Sequence, residues 1–162
     1  MWKYTNTIHW LLIGLLVVLS TISAIIFLFV RQIPVHIWFV MNICAPISFY
    51  TALVLILDKN RYSGNSLIAM NAAVPFLLYF GIDGLLTFSW ALMLAQVQHI
   101  IMIITAIFIL FVTHYSADDT RIRKLIIGLS VGIIALLIVL FIIIPIILLD
   151  PLAQAILESY TP

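Results

Sequence analysis

Five long apolar stretches follow one another along this chain, and they constrain its fold more than any motif does. They cover residues 10–30, 35–57, 66–89, 91–114 and 125–149. A helix needs roughly 20 apolar residues to cross a bilayer core about 30 Å thick, and each stretch meets that length. The runs are continuous rather than alternating, which favours helices over a membrane β-barrel. The sequence therefore predicts an all-α, polytopic transmembrane helical bundle in a single domain.

Composition assigns the chain to the membrane. Hydrophobic residues make up 65% of the 162 residues and charged residues only 8%, which excludes a soluble globular domain. The first run is longer than the apolar region of a signal peptide, about 7 to 15 residues, and no small-x-small cleavage site follows it. We therefore expect a retained first helix in an integral cell-membrane protein that is surrounded by lipid and has no nucleic-acid partner.

Basic residues predict the orientation of the bundle. Most of them precede the first helix or lie in the loops after the second and fourth helices, which share one side of the membrane: Lys3, Lys59, Arg61, Arg121, Arg123 and Lys124. Arg31 alone falls on the opposite side. The positive-inside bias then predicts a cytoplasmic N-terminus and an extracytoplasmic C-terminus.

Four histidines lie in or beside the apolar runs, and this topology puts them into two pairs. His9 and His114 fall in the cytoplasmic leaflet, and His36 and His99 fall in the other. Fifteen residues separate His99 from His114, which corresponds to roughly 22 Å of rise and about 60° of rotation, so both point to broadly the same helix face. Two stacked haem irons would need such imidazoles at two depths. Taken singly, His9, His36 and His114 are also typical of histidines at the membrane interface.

Three segments resemble a known family. They are "TIHW" at the first helix, "PVHIW" at the second and "HIIMIITAIFILFVTHY" in the fourth. They resemble the bacterial cytochrome b561 family and the di-haem cytochrome b subunits of formate dehydrogenases and nickel-iron hydrogenases. The resemblance covers about residues 1–120, and implies a four-helix di-haem core to which a fifth helix is added here. It implies two haem b groups, one bound by His9 and His114 and the other by His36 and His99.

The resemblance predicts a membrane b-type cytochrome that carries electrons between the leaflets and exchanges them with quinone. Such a protein works alone or takes electrons from an extracytoplasmic redox partner subunit of a membrane oxidoreductase. Two alternatives stay open: a non-redox structural subunit of a membrane complex, and a small proton or ion transporter. A transporter would rely on Asp83, the one acid within an apolar run, and on the histidines for proton movement. It is also expected to show inverted repeats or interrupted helices, and the sequence shows neither clearly.

Smaller features add local predictions. Cys44 is the only cysteine, which excludes an internal disulfide and a multi-cysteine cluster, and we interpret it as a packing residue. Gly81 and Gly84 in "GIDG" predict the close approach of a helix or a flat ligand. Kinks are expected at the prolines inside the runs: Pro46, Pro75 and Pro145.

Overall fold

The computed structural model describes residues 2–58, 65–86, 93–115 and 119–160, and these form helices and short turns with no strand among them. In chain order the α-helices are α1 Trp2–Ala24, α2 Val35–Met41, α3 Cys44–Leu57, α4 Ser66–Leu86, α5 Met93–Tyr115, α6 Asp119–Ile138, α7 Ile144–Leu148 and α8 Pro151–Tyr160. Two π-helical segments continue α1 and join α6 to α7: Ile25–Val30 and Val139–Ile143. The prediction of an all-helical protein is confirmed.

Four helical segments of the described chain are long and apolar enough to cross a bilayer: Asn6–Val30, Ser66–Leu86, Gln96–His114 and Asp119–Leu148. They correspond to the first, third, fourth and fifth predicted spans. The last helix begins at Asp119 rather than at residue 125, because the basic segment before the apolar run continues the helix and an acid in the first turn favours its N-terminus. The predicted boundaries at residues 89 and 91, and the loop residues Lys59 and Arg61, lie outside the described residues.

The second apolar run is not one helix, because α2 and α3 are separated at Asn42. Pro46 explains the break, since proline has no N–H and its ring clashes with the carbonyl four residues earlier. That carbonyl, on Asn42, instead accepts a hydrogen bond from the backbone N–H of Ala45 at 3.0 Å. The Asn42 side chain donates to the hydroxyl of Ser23 in α1. The helix predicted over residues 35–57 is therefore interrupted, and α3 alone is about 21 Å long.

α4 lies at the centre of the bundle. It packs against α3, α5 and α6, while α1 packs against α3 and α5. α4 and α5 run antiparallel, since Nε2 of Gln96 near the start of α5 donates to the carbonyl of Gly84 near the end of α4 at 3.1 Å. We call this end of the bundle, where α3 and α5 begin, the Asp83 end. The opposite end, where Ser66 at the start of α4 contacts Asp58, is called the Asp58 end.

The main core is apolar and lies between α1, α3, α4 and α5. Its largest fully buried side chains include Leu16, Leu55, Leu67, Met70, Leu77, Met102 and Ile109. Because lipid tails are as apolar as these side chains, close packing rather than removal from water holds the helices together.

α6 approaches α4 through two glycines one helical turn apart. A Cβ atom at Gly128 would lie 2.6 Å from the carbonyl oxygen of Ile68, and one at Gly132 would lie 2.4 Å from that of Ala72. Small residues at this spacing allow two helix backbones to touch in a membrane. Only 6% of the most apolar part of Asp119–Leu148 is buried inside the bundle, compared with 50% for Ser66–Leu86. α6 therefore attaches along a narrow buried surface formed by Gly128, Gly132 and Leu136.

A smaller apolar cluster lies at the Asp83 end. Its buried members are Ile33, Ile37, Trp38, Ala45 and Ala153. Asp150 caps α8 beside it, since the backbone N–H of Leu152 donates to Oδ1 at 2.8 Å and Pro151 occupies the first helical position. The second oxygen of Asp150 lies 3.5 Å from Nε2 of His36. These contacts hold α2 beside the start of α8.

Candidate functional site

The two histidines predicted to share one haem, His9 and His114, differ in exposure. His9 lies on the inward face of α1 with 9% of its surface exposed, and its ring meets Trp10 edge-on at a centroid distance of 5.6 Å. His114 is exposed and continues the outward stripe of α5 formed by Ile100, Ile104, Ile107 and Phe111. α1 and α5 pack against each other, so the two residues lie on neighbouring helices. Their pairing stays a prediction.

The other two predicted ligands each face a different partner. Nε2 of His36 lies 3.5 Å from Oδ2 of Asp150, and Nε2 of His99 lies 3.3 Å from Sγ of Cys44. The structure thus brings His36 to Asp150 and His99 to Cys44. A haem iron held between these two imidazoles would require both rings to turn away from these partners. This pairing, too, stays a prediction.

The contact between Cys44 and His99 follows from the break in the second run. Because the helix restarts after Asn42, Cys44 becomes the first residue of α3, and its thiol meets the imidazole from α5. The sequence interpretation of Cys44 as a packing residue missed this contact. The available signal was the segment "NICAP", in which a polar residue and a proline flank the cysteine within an otherwise apolar run.

The "GIDG" segment of α4 provides the space for the imidazole. A Cβ atom at Gly84 would lie 2.3 Å from both Cε1 and Nε2 of His99. One at Gly81 would lie 2.8 Å from Cγ1 of Ile103 and 3.3 Å from the carbonyl oxygen of His99. The prediction that these glycines admit a close neighbour is confirmed, and the neighbour is α5 with the His99 ring.

Asp83 lies between these glycines, exposed, and within electrostatic range of both Cys44 and His99. A thiol, an imidazole and a carboxylate from three helices therefore occupy one end of the bundle, and we call them the Cys44–His99–Asp83 group. Among the described residues, no three or more histidine, cysteine, aspartate or glutamate side chains are arranged to hold a metal ion together. The carboxylate thus acts on the other two members through its charge.

Buried polar side chains continue from this group toward the Asp58 end, between α3, α4 and α5. The hydrogen-bonded pairs are Gln98 with Ser48 at 3.4 Å, Asn71 with Thr113 at 3.3 Å, and Ser66 with Asp58 at 2.6 Å. They lie at successive depths along the bundle, since α5 contributes Gln98 near its start and Thr113 near its end. Polar pairs therefore lie near both ends of the bundle, with the apolar core between them.

Some buried polar atoms have no hydrogen-bond partner among the described residues. They are Oγ of Ser20, Nε1 of Trp38, Oδ1 of Asn71, Oε1 of Gln96 and Nδ1 of His99. Such atoms are rare in folded proteins because each one costs about 1–3 kcal/mol. His99 belongs to the Cys44–His99–Asp83 group and Gln96 contacts Gly84 beside it, so this region can still form hydrogen bonds with a polar or charged ligand.

Comparisons of this chain with protein-family models, with curated proteins and with solved structures find no match. The chemistry of the site therefore rests on the geometry of its own residues.

Proposed function

We propose that this chain is a small-ion transporter whose binding site is formed by Cys44 and His99, with the charge of Asp83 nearby. The observation that supports this most is the 3.3 Å approach of the Cys44 thiol to the His99 imidazole, beside a break in an apolar run. Ionisable side chains within membrane spans are expensive and typically mark ion pathways or proton relays. Three helices each contribute one such side chain, although helix packing by itself requires none.

The interruption at Asn42 supports a transporter over a purely structural subunit. Transporters commonly bind ions where a helix is discontinuous, because the unwound backbone and the helix ends offer polar groups that a continuous helix has already used. In this chain the interruption lies directly beside the proposed site, since Asn42 contacts Ser23 and Cys44 begins α3.

The polar pairs below the site support a path for the ion. A partly dehydrated ion is coordinated by oxygen or nitrogen ligands, and Gln98 with Ser48 provides a first set next to the site. Asn71 with Thr113 provides a second, and Asp58 ends the series at the opposite end of the bundle. The path proposed here runs between α3, α4 and α5, away from the lipid-facing surface of α6.

Transport is tested with the full-length chain reconstituted in liposomes that contain a pH-sensitive dye and carry a pH gradient. Different cations are added outside, one at a time. We expect the pH gradient to collapse with the cation that the site exchanges for a proton. His99→Gln should lower the initial rate by at least about tenfold, equivalent to about 1.4 kcal/mol in the barrier.

His114→Gln is the matched control for this experiment. His114 lies on the exposed stripe of the same helix, so the rate should stay within about twofold of the original protein, a change of only a few tenths of a kcal/mol. Rates no higher than those of protein-free liposomes for every cation would contradict the proposed function, as would equal loss of transport in both variants.

A second proposal is the b-type cytochrome that the sequence resemblance implies. It is supported by the position of His99 and His114 on one continuous helix, about 22 Å apart, and by the burial of His9 in the neighbouring α1. Haem b would supply reversible one-electron chemistry linked to quinone. His9 with His114 and His36 with His99 would be its ligands. The second pair would have to leave Asp150 and Cys44 to bind iron.

The cytochrome proposal has its own expected outcome. If it holds, the purified protein shows b-type bands in a dithionite-reduced minus oxidised spectrum, with about two haems per chain, and His99→Ala retains about one. A featureless spectrum from protein produced with ample haem would contradict it and leave the transporter proposal intact.

A further inference from the structure

We propose that Cys44 and His99 form a binding site for a soft monovalent metal cation, and that this cation is Cu(I). That Cu(I) is also the ion transported rests on the proposed function. The binding itself rests only on the geometry, in which Sγ of Cys44 and Nε2 of His99 lie 3.3 Å apart.

The ligand set selects a soft ion. Thiolate sulfur favours Cu(I), zinc or iron–sulfur clusters, and imidazole also accepts copper. A structural zinc ion takes four protein ligands and a catalytic one takes three, whereas the described residues contain no group of three or more candidate side chains. Cu(I) is stable with two ligands placed on opposite sides of the ion, so a single thiolate and a single imidazole are sufficient.

The distance between the two ligands is compatible with a small opening of the site. Bonds as long as those of zinc, about 2.3 Å to sulfur and 2.0 Å to imidazole, would separate the two ligand atoms by about 4.3 Å when placed in line. Cys44 and His99 would have to move apart by about 1 Å. Cys44 can provide this movement because it is the first residue of α3, immediately after the break at Asn42.

Charge explains why a monovalent ion suits this position. When Cu(I) binds, the Cys44 thiol loses one proton and the sulfur forms one bond to the metal, so one positive charge replaces another. The net charge of the site is unchanged, and an added charge inside an apolar region would be expensive. A divalent ion would add one uncompensated charge. The exposed carboxylate of Asp83 favours the approach of the cation.

The test measures Cu(I) bound by the purified full-length protein in detergent, in competition with a chromophoric Cu(I) chelator under reducing conditions. We expect one Cu(I) per chain and a thiolate-to-copper absorption band in the ultraviolet. Loss of a side chain that only hydrogen-bonds to a metal ligand typically lowers metal affinity 10–100-fold. Loss of a direct ligand in Cys44→Ser or His99→Gln should therefore lower Cu(I) affinity by at least about 100-fold. Zn(II) should compete poorly.

His36→Gln is the control, because His36 contacts Asp150 rather than Cys44, and it should bind Cu(I) like the original protein. Circular dichroism of each variant verifies that the helices are retained. Ag(I), which is also soft and monovalent but is not oxidised during the measurement, should show the same order of affinities. Unchanged Cu(I) affinity in Cys44→Ser would overturn the proposal.

The outcomes separate the metal site from the transport function. Cu(I) binding that depends on Cys44, together with liposomes that remain impermeable to Cu(I) and to every other cation tested, would retain the site and overturn the transport function. Transport of another cation without Cys44-dependent Cu(I) binding would retain the transport function and overturn the metal site.

Discussion

Gly132→Leu is expected to detach α6 from the rest of the bundle. A Cβ atom at this position would lie 2.4 Å from the carbonyl oxygen of Ala72 and 3.0 Å from its Cα, and backbone atoms in a helix cannot move aside as a side chain can. Overpacking typically costs about 1–3 kcal/mol, and we expect at least the upper value because the obstacle is backbone. Unfolding in mixed detergent, followed by circular dichroism, gives the change in the free energy of unfolding.

Gly14→Leu is the matched control for this substitution. Gly14 is exposed in α1, and a Cβ atom there would meet nothing within 4 Å. The free energy of unfolding should change by less than about 0.5 kcal/mol, as is usual for surface positions. Equal stability of the two leucine variants would mean that α4 and α6 do not touch through their backbones.

Gly84→Ala is expected to weaken metal binding while leaving the bundle folded. The added methyl group would lie 2.3 Å from two atoms of the His99 ring, so the imidazole must rotate away from Cys44. A side chain can adopt another rotamer at modest energetic cost, and the helices therefore stay in place. Cu(I) affinity should fall by at least about tenfold, in the range seen when the positioning of a metal ligand is lost.

The control for this prediction is Gly14→Ala, which changes the same residue type far from any neighbour and should retain full Cu(I) affinity. Competition with the Cu(I) chelator and thermal unfolding are measured on the same samples. If Gly84→Ala binds Cu(I) as tightly as the original protein, His99 is not held against Cys44 by α4.

The length of the apolar runs was sufficient to predict four of the spans, because crossing a bilayer depends mainly on composition and length. Length could not predict whether a helix continues through a given proline or breaks before it. Pro75 lies inside the continuous helix α4, whereas the helix breaks one turn before Pro46. At the break before Pro46, the side chain of Asn42 has a partner on another helix, the hydroxyl of Ser23 in α1. Such a partner comes from tertiary structure rather than from local sequence.

The candidate site shows the same limit. The spacing of His99 and His114 predicted broadly one face, with about 60° between them. In the structure His99 is partly buried, and His114 lies on the outward stripe of α5, because about 60° is enough to pass from the interior to lipid on a helix that is packed on one side. Cys44 could not be assigned to a site from the sequence, since its partner lies 55 residues away on another helix.

α3 and the segment from α6 to α7 differ so much in length that no single bilayer thickness matches both. α3 has 14 residues and covers about 21 Å, whereas the apolar part of the last span, residues 125–148, covers about 36 Å. A hydrocarbon layer of about 30 Å would be thinned on one side of the molecule, and the long span would have to tilt by about 35°. Because α3 is shorter than a bilayer core and the last span is longer, a bilayer of uniform thickness matches only one of them at a time. The protein should therefore gather at boundaries between thin and thick membrane domains.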